Sequence, residues 1–545
     1  MSFPTPSRLV VLLALACALL AASAVSASAA ALPGAHVSAV QTVPEASYPG
    51  MQKITYLYGP VKISPGQNTI EAQANTLKPA VPGYITRFQP DLVYAKTNAQ
   101  GGHDTPRVDV IHLHHGVWLV ARNNTLYPTF AAGEEKTIFQ MPQGFGYKYS
   151  PSDGWIMNYM IHNLTPNEDS VYIKYTIDFV PASEPAAAGI TEVKPLWMDV
   201  SGIKPYPVFD ALKGQGTKGK FTFPTQANAA QKKDIGAAQQ WTVPNDITLV
   251  TTAGHLHPGG LYNDLTATRN GTTKELFRSE AKYFEPAGAV SWDVSLTGAK
   301  PDWRVALHAG DRIATTVTYD TRKASWYESM GIMVVFYAEG IVNGAKDPFS
   351  QPIDWHGLIT HGHLKENDNH GGDPDSGLPD ARDLLDGTRP SNVDIKGYVY
   401  AKGDMSSTGA AGRPPVVRAG QSLKFTNLDA TKALSPSDSA YHTITACRAP
   451  CNATTGIAYP LANGDVQFDS GELGYGPTQT IPGIGGKMTP AAGRNTWKTP
   501  KTLKAGTYTY FCRIHPFMRG AFRVVGKNGK GSVTKKQQAA ARKKA

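Results

Sequence analysis

Apolar and polar positions alternate in short runs along most of the chain. "VYIKYTIDFV" (171–180) and "AYHTITAC" (440–447) step from face to face, and "GIMVVFY" (331–337) is an apolar run short enough for a buried strand. These runs are rich in β-branched and aromatic residues. Clusters of Gly, Pro, Asn and Asp punctuate them, and stretches with a helical period are few. The pattern predicts an all-β protein made of sandwiches.

The first 30 residues depart from it. Arg8 precedes the apolar "LVVLLALACALLAASAV", which ends in the small-residue stretch "SASAA". This reads as a signal peptide with cleavage near Ala29. No later run approaches ~18 consecutive apolar residues, so we expect no transmembrane segment and an exported protein, secreted or held in the periplasm or cell-envelope exterior. The remainder has room for three or four domains.

The net charge of +10 suggests nucleic acid until its placement is considered. The tail, 527–545, carries seven Lys or Arg and no acid, leaving about +3 for the rest. That composition predicts a disordered basic tail. No basic, aromatic-studded groove accompanies it, so nucleic acid is discounted. P-loop, H-E-x-x-H and G-x-S-x-G patterns are absent, which leaves nucleotide and hydrolase readings without support.

Four cysteines narrow the chemistry. Cys17 leaves with the signal peptide, and Cys447 and Cys451 can pair locally. Cys512 then remains as an odd thiol in an oxidising compartment, a liability unless burial or a metal occupies it. It stands in "YFCRIHPFMRG" (510–520), followed by His515 and Met518. With His442 from "AYHTITAC", these supply two imidazoles, a thiolate and a weak thioether, the ligand set of a blue, type 1 copper that transfers electrons. The stretch 391–526 resembles the cupredoxins, and "HPFMRG" is similar to the ligand loop of amicyanin. The resemblance implies a Greek-key β-sandwich with one type 1 copper. The "CRAPC" insertion and the long loop after it depart from that family.

Most of the fifteen histidines fall in clusters. "VDVIHLHHGVWLV" holds His112, His114 and His115, "WIMNYMIHNLT" holds His162, and "ITLVTTAGHLHPGG" holds His255 and His257. "YESMGIMVVFY" adds Met330 and Met333. Residues i and i+2 share a strand face, so His255 and His257 can reach one metal. His114 and His115 face opposite ways on a regular strand and meet only if the strand bends. His112 with His114 is the regular alternative.

Taken in order, the clusters resemble the copper type II monooxygenases, the family of peptidylglycine and dopamine hydroxylases. The likeness covers roughly residues 40–345 and is one of motif. It implies two jelly-roll-like sandwiches, 31–205 and 206–345. It also implies a three-histidine electron-transfer copper at His114, His115 and His162. An oxygen-activating copper would stand at His255, His257 and Met330, with Met333 as the second thioether candidate. Such a protein would use O2 and external electrons, relayed by the type 1 copper, to hydroxylate an organic substrate. Two departures stand out. Ala253 occupies the position where relatives that hydroxylate peptides carry a substrate-binding arginine. Residues 31–446 also contain no cysteine, so the staples of those relatives are missing.

Between the modules, 346–390 carries His356, His361, His363 and His370 among acids, Gly and Pro, and is expected to be a solvated linker. The rival to an enzyme is a blue-copper carrier whose N-terminal sandwiches serve as a binding scaffold.

Overall fold

The computed structural model describes residues 34–42, 47–362, 380–448, 466–475 and 493–528, with breaks at 75, 124, 204–206, 285–288, 290, 291, 406–411, 435–439 and 516, and the isolated positions 536 and 539. The expected signal peptide, most of the basic tail, His363, His370 and the Cys447–Cys451 pairing lie outside the described residues.

The chain is all-β, with thirty-two strands and three short 3₁₀ turns described. In the first sandwich, Gln52–Ile63 pairs with His36–Thr42 and with Asp169–Pro181. Asp169–Pro181 pairs in turn with Gly83–Tyr94. The facing sheet runs Asn68–Ala74, Gly154–Asn163, Ile111–Arg122, Thr125–Gly133. Alternation read from sequence becomes burial here. Val171, Ile173, Tyr175, Ile177 and Phe179 are all fully buried on one face of their strand. Between the sheets, Phe88 stacks on Phe130 at 4.4 Å and meets Trp118 edge-on at 4.8 Å. Side chains of this size each stabilise the fold by about 1.5–3 kcal/mol on burial.

One strand joins the first two sandwiches. Thr191–Asp199 runs parallel to Phe145–Tyr149 at its start, then antiparallel to Ile332–Glu339. Ile332–Glu339 pairs with Ile247–His255. The opposite sheet of this second sandwich holds Lys220–Phe223, Arg312–Asp320, Gly260–Arg269 and Thr272–Tyr283. Phe336 reaches within 5.7 Å of both Phe130 and Phe139, so apolar packing continues from one sandwich into the next. That shared core holds the histidine strands of the two sandwiches against each other.

The third sandwich has Val416–Arg418, Arg519–Val525, Gly506–Phe511 and Thr445–Arg448 in one sheet. The other contains Asn392–Lys396, Lys424–Asn427 and Thr496–Lys498. Its core includes Phe425, Tyr510 and Phe522. Backbone bonds tie it to the second sandwich, where the Val466 N–H donates to the Lys323 carbonyl at 3.3 Å. No helix among the described residues is long and apolar enough to cross a membrane.

Candidate metal centres

In the third sandwich, Cys512 follows the strand Gly506–Phe511, and His442 comes from the segment facing it. The Cys512 sulfur lies 3.8 Å from His442 Nδ1 and 3.6 Å from His515 Nδ1, and the two nitrogens are 3.2 Å apart. An ion with bonds of about 2.0 Å to nitrogen and 2.3 Å to sulfur would set such donors roughly 3.5–3.7 Å apart in a trigonal plane. The gap therefore fits one ion. All three residues are buried, as is Met518, whose N–H donates to the His515 carbonyl at 2.9 Å. The Thr443 N–H points at the sulfur from 3.4 Å, a contact of the kind that tunes a metal thiolate.

The far nitrogen of each imidazole is fixed. His442 Nε2–H donates to Asp429 Oδ2 at 3.0 Å, and His515 Nε2–H donates to the Gly66 carbonyl at 2.8 Å. In the neutral rings that bind a metal, these bonds select the tautomers that leave both Nδ1 lone pairs facing the sulfur. Burial disfavours charge on His442, but the hydrogen bonds to Asp429 and to the Cys512 sulfur outweigh it and push its pKa up to about 9.

The second centre is built where the first two sandwiches meet. Leu113 pairs with Ile161 and His115 with Met160, so His114 is the extra residue of a β-bulge. The bulge resolves the geometry of consecutive histidines, because both His114 and His115 turn toward the second sandwich. Their rings lie 4.5 and 5.2 Å from that of His257. His112 sits directly opposite His162 in the ladder. His255 ends its strand, and His257 lies beyond it, its N–H donating to the Tyr319 hydroxyl at 3.0 Å. The same hydroxyl accepts the Met330 N–H, tying those two backbones together.

Two groups of donor atoms converge within 4.8 Å: His112 with His114 and His162, and His114 with His115 and His257. His255 belongs to neither, although its ring is 5.4 Å from that of His115 and 5.2 Å from that of His257. The expected trio of His114, His115 and His162 is thus divided, with His112 beside His114 and His162. Met330 is buried and lines a cavity with His115, while Met333 packs with Leu249 and Leu265 in the second sandwich's core.

Tautomers are fixed here too. His112 Nδ1–H donates to the Val108 carbonyl at 2.6 Å, His162 Nε2–H to the Ile514 carbonyl at 2.7 Å, and His257 Nδ1–H to the Glu328 carbonyl at 2.6 Å. His255 Nδ1–H donates to Glu135 Oε2 at 3.0 Å. What remains is a set of inward lone pairs. His112 Nε2, His162 Nδ1 and His255 Nε2 are buried with no hydrogen-bond partner, which is costly unless something positive binds there. Burial, followed by the neighbouring imidazoles, holds His114 and His115 well below the usual histidine pKa. Burial brings the His162 pKa down to about 4, against the smaller opposing pull of the Ile514 carbonyl. Neutral imidazole is the form that ligates.

Residues not singled out from sequence complete the site. Glu134 and Glu135 are both buried, and Glu134 Oε2 lies 3.5 Å from His114 Nδ1. Burial, then the adjacent carboxylate, raises the Glu134 pKa well above the ordinary range. Gly133 admits the His255 ring, since a Cβ there would fall 2.6 Å from His255 Cε1. Trp292 packs over His112 and His114 at 4.8 and 5.1 Å. A cavity of about 80 Å³ opens between the two centres. The sandwiches contribute His114, His162, His257 and Glu328 to its walls, and the third module contributes Glu472, Arg513 and Ile514.

Two of the linker histidines lie among the described residues, and neither belongs to a converging donor group. His356 is exposed, stacked on Trp355 beside Asp354, and His361 Nε2 contacts the Ser295 hydroxyl at 3.4 Å.

No family model and no curated protein matches the chain. Among solved structures it is similar to a copper-containing nitrite reductase (NirK) from Thermus scotoductus SA-01, at 14% identity and a TM-score of 0.14. That match covers 52% of this chain and 58% of the reductase, so the chain spans little more than half of it. The VP2 subviral particle of infectious bursal disease virus gives 10% identity, 53% and 76% coverage, and a TM-score of 0.16. Vicilin from tomato, Solanum lycopersicum, gives 8%, 55%, 83% and 0.10. Overlaps at these TM-scores carry no argument about this chain.

Proposed function

We propose that this chain is an exported multicopper redox protein, a copper-dependent monooxygenase whose third sandwich passes single electrons to the histidine centre. One contact carries the reading. His162 donates to the carbonyl of Ile514, two residues along the backbone from Cys512. The donor set of each centre supports copper, with His, Cys and Met in one and imidazoles alone in the other. Copper at the first centre supplies one-electron exchange with little rearrangement, and copper at the second supplies the use of dioxygen.

The chain's own side chains do the positioning. Asp429 and Gly66 aim the imidazoles of the thiolate site, while Val108, Ile514, Glu328 and Glu135 aim those of the histidine site. The cavity between them is walled by both modules, so a substrate would bind where the electron arrives. At about 80 Å³ the cavity is smaller than an ordinary ligand pocket and would admit one small group of a substrate. Trp292, Trp326 and Tyr327 line it beside Glu328, Glu472 and Arg513, a mixture suited to an organic group with polar substituents.

The test is copper content together with oxygen consumption. The protein should carry an intensely blue copper and further copper without such colour, and should consume O2 when supplied with a reductant. His257→Ala should abolish the uptake and keep the blue band. A single blue copper with no oxygen uptake would mean a carrier on a scaffold. Uptake unaffected by His257→Ala would remove the site assignment.

A further inference from the structure

We propose that His112, His114, His115, His162 and His257 build one dinuclear copper centre with His114 common to its two halves, in place of two independent mononuclear sites. The proposal rests on the copper reading above and deepens it.

His114 belongs to both converging donor groups, each within 4.8 Å. Its ring centroid is 4.3 Å from that of His115 and 4.5 Å from that of His257, so no layer of protein separates the halves. If His114 used both nitrogens, two ions would lie no more than about 6 Å apart, given metal–nitrogen bonds of about 2.0 Å. His112 and His162 would complete the ion on one side, and His115 and His257, whose Nε2 atoms are 3.0 Å apart, the ion on the other. His255 stands beside that second half as a further donor, with its Nε2 buried and without a hydrogen-bond partner. The two ions would then form a close pair joined through one ring.

The charge around the cluster agrees. A buried carboxylate without a cation is costly, and here two consecutive ones are buried. Glu134 stands against His114, and Glu135 against His255 on the other half. A carboxyl group therefore lies beside each half.

The deciding experiment is spin counting by paramagnetic resonance on the full-length protein loaded with Cu(II), with elemental copper measured on the same sample. We expect about three coppers per chain and about one spin at low temperature, that of the blue site, because two Cu(II) ions bridged by the His114 ring couple through it. Three coppers giving three full, independent spins would overturn the proposal, and so would a single copper outside the blue site. Absence of any copper outside the blue site would instead overturn the function proposed above. A second readout uses His114→Ala. Loss of both non-blue coppers with the blue band intact is expected, whereas loss of only one, with the other showing its full spin, contradicts a shared ligand.

Discussion

Glu135→Gln isolates the carboxylate that orients His255. Glu135 Oε1 accepts the Gly133 N–H at 2.9 Å, and Oε2 accepts His255 Nδ1–H at 3.0 Å. Glutamine is nearly the same shape but offers one acceptor. If its oxygen stays on Gly133, its NH2 group faces Nδ1. The imidazole must then move its proton to Nε2 and loses the lone pair aimed at the cluster. If the amide turns over, the Gly133 N–H goes unsatisfied in a buried site. Either outcome sacrifices one charge-assisted hydrogen bond, worth about 1.5–3 kcal/mol. At about 1.4 kcal/mol per decade, that is roughly 10- to 100-fold in affinity, the usual cost of losing a partner that orients a metal-bound histidine. The assay is a copper titration against a competing chelator, with the blue absorption as internal control. The weakening should fall on non-blue copper alone. Affinities within twofold of the unaltered protein would refute the orienting role of Glu135.

Cys512→Ser should eliminate the blue absorption and leave the non-blue copper in place, since serine offers no thiolate and the histidine centre draws nothing from Cys512. Phe88→Ala removes a fully buried ring stacked on Phe130 and should cost about 3–5 kcal/mol, read as a lower midpoint in denaturant unfolding with the copper sites still loadable below the transition. Copper should raise the melting temperature, because ions that bind only the folded chain add about 2.7 kcal/mol at a hundredfold excess over Kd. Chelation should reverse that shift, which calorimetry on loaded and stripped protein would measure.

The chain's β character was legible because the strands keep the alternation that the sequence shows, as in Asp169–Pro181. The histidines were legible as clusters, but not their grouping. That depends on the bulge at His114, and a single extra residue in one strand leaves no mark in "HLHHG" that separates it from a regular strand. The same bulge explains why His112 stands with His114 and His162 while His115 turns toward His257. Glu134 and Glu135 were invisible for another reason. "AAGEEKT" has the composition of a solvated turn, and only packing against the second sandwich buries both acids. The contact between His162 and Ile514 joins residues 352 positions apart through a backbone carbonyl, which no side-chain pattern encodes. The thiolate site was the most legible, since three of its four residues lie within seven positions and their chemistry alone selects a soft metal.

Electron movement between the two centres can be watched directly. The fully copper-loaded, oxidised protein would be given a sub-stoichiometric pulse of one-electron reductant without oxygen, and the blue absorption followed. The band should bleach and then recover at a rate independent of protein concentration, as the electron leaves for the histidine centre, and His162→Ala should slow that recovery while keeping the band. A band that stays bleached, or that recovers at a rate proportional to protein concentration, would mean the two centres are neighbours without exchange.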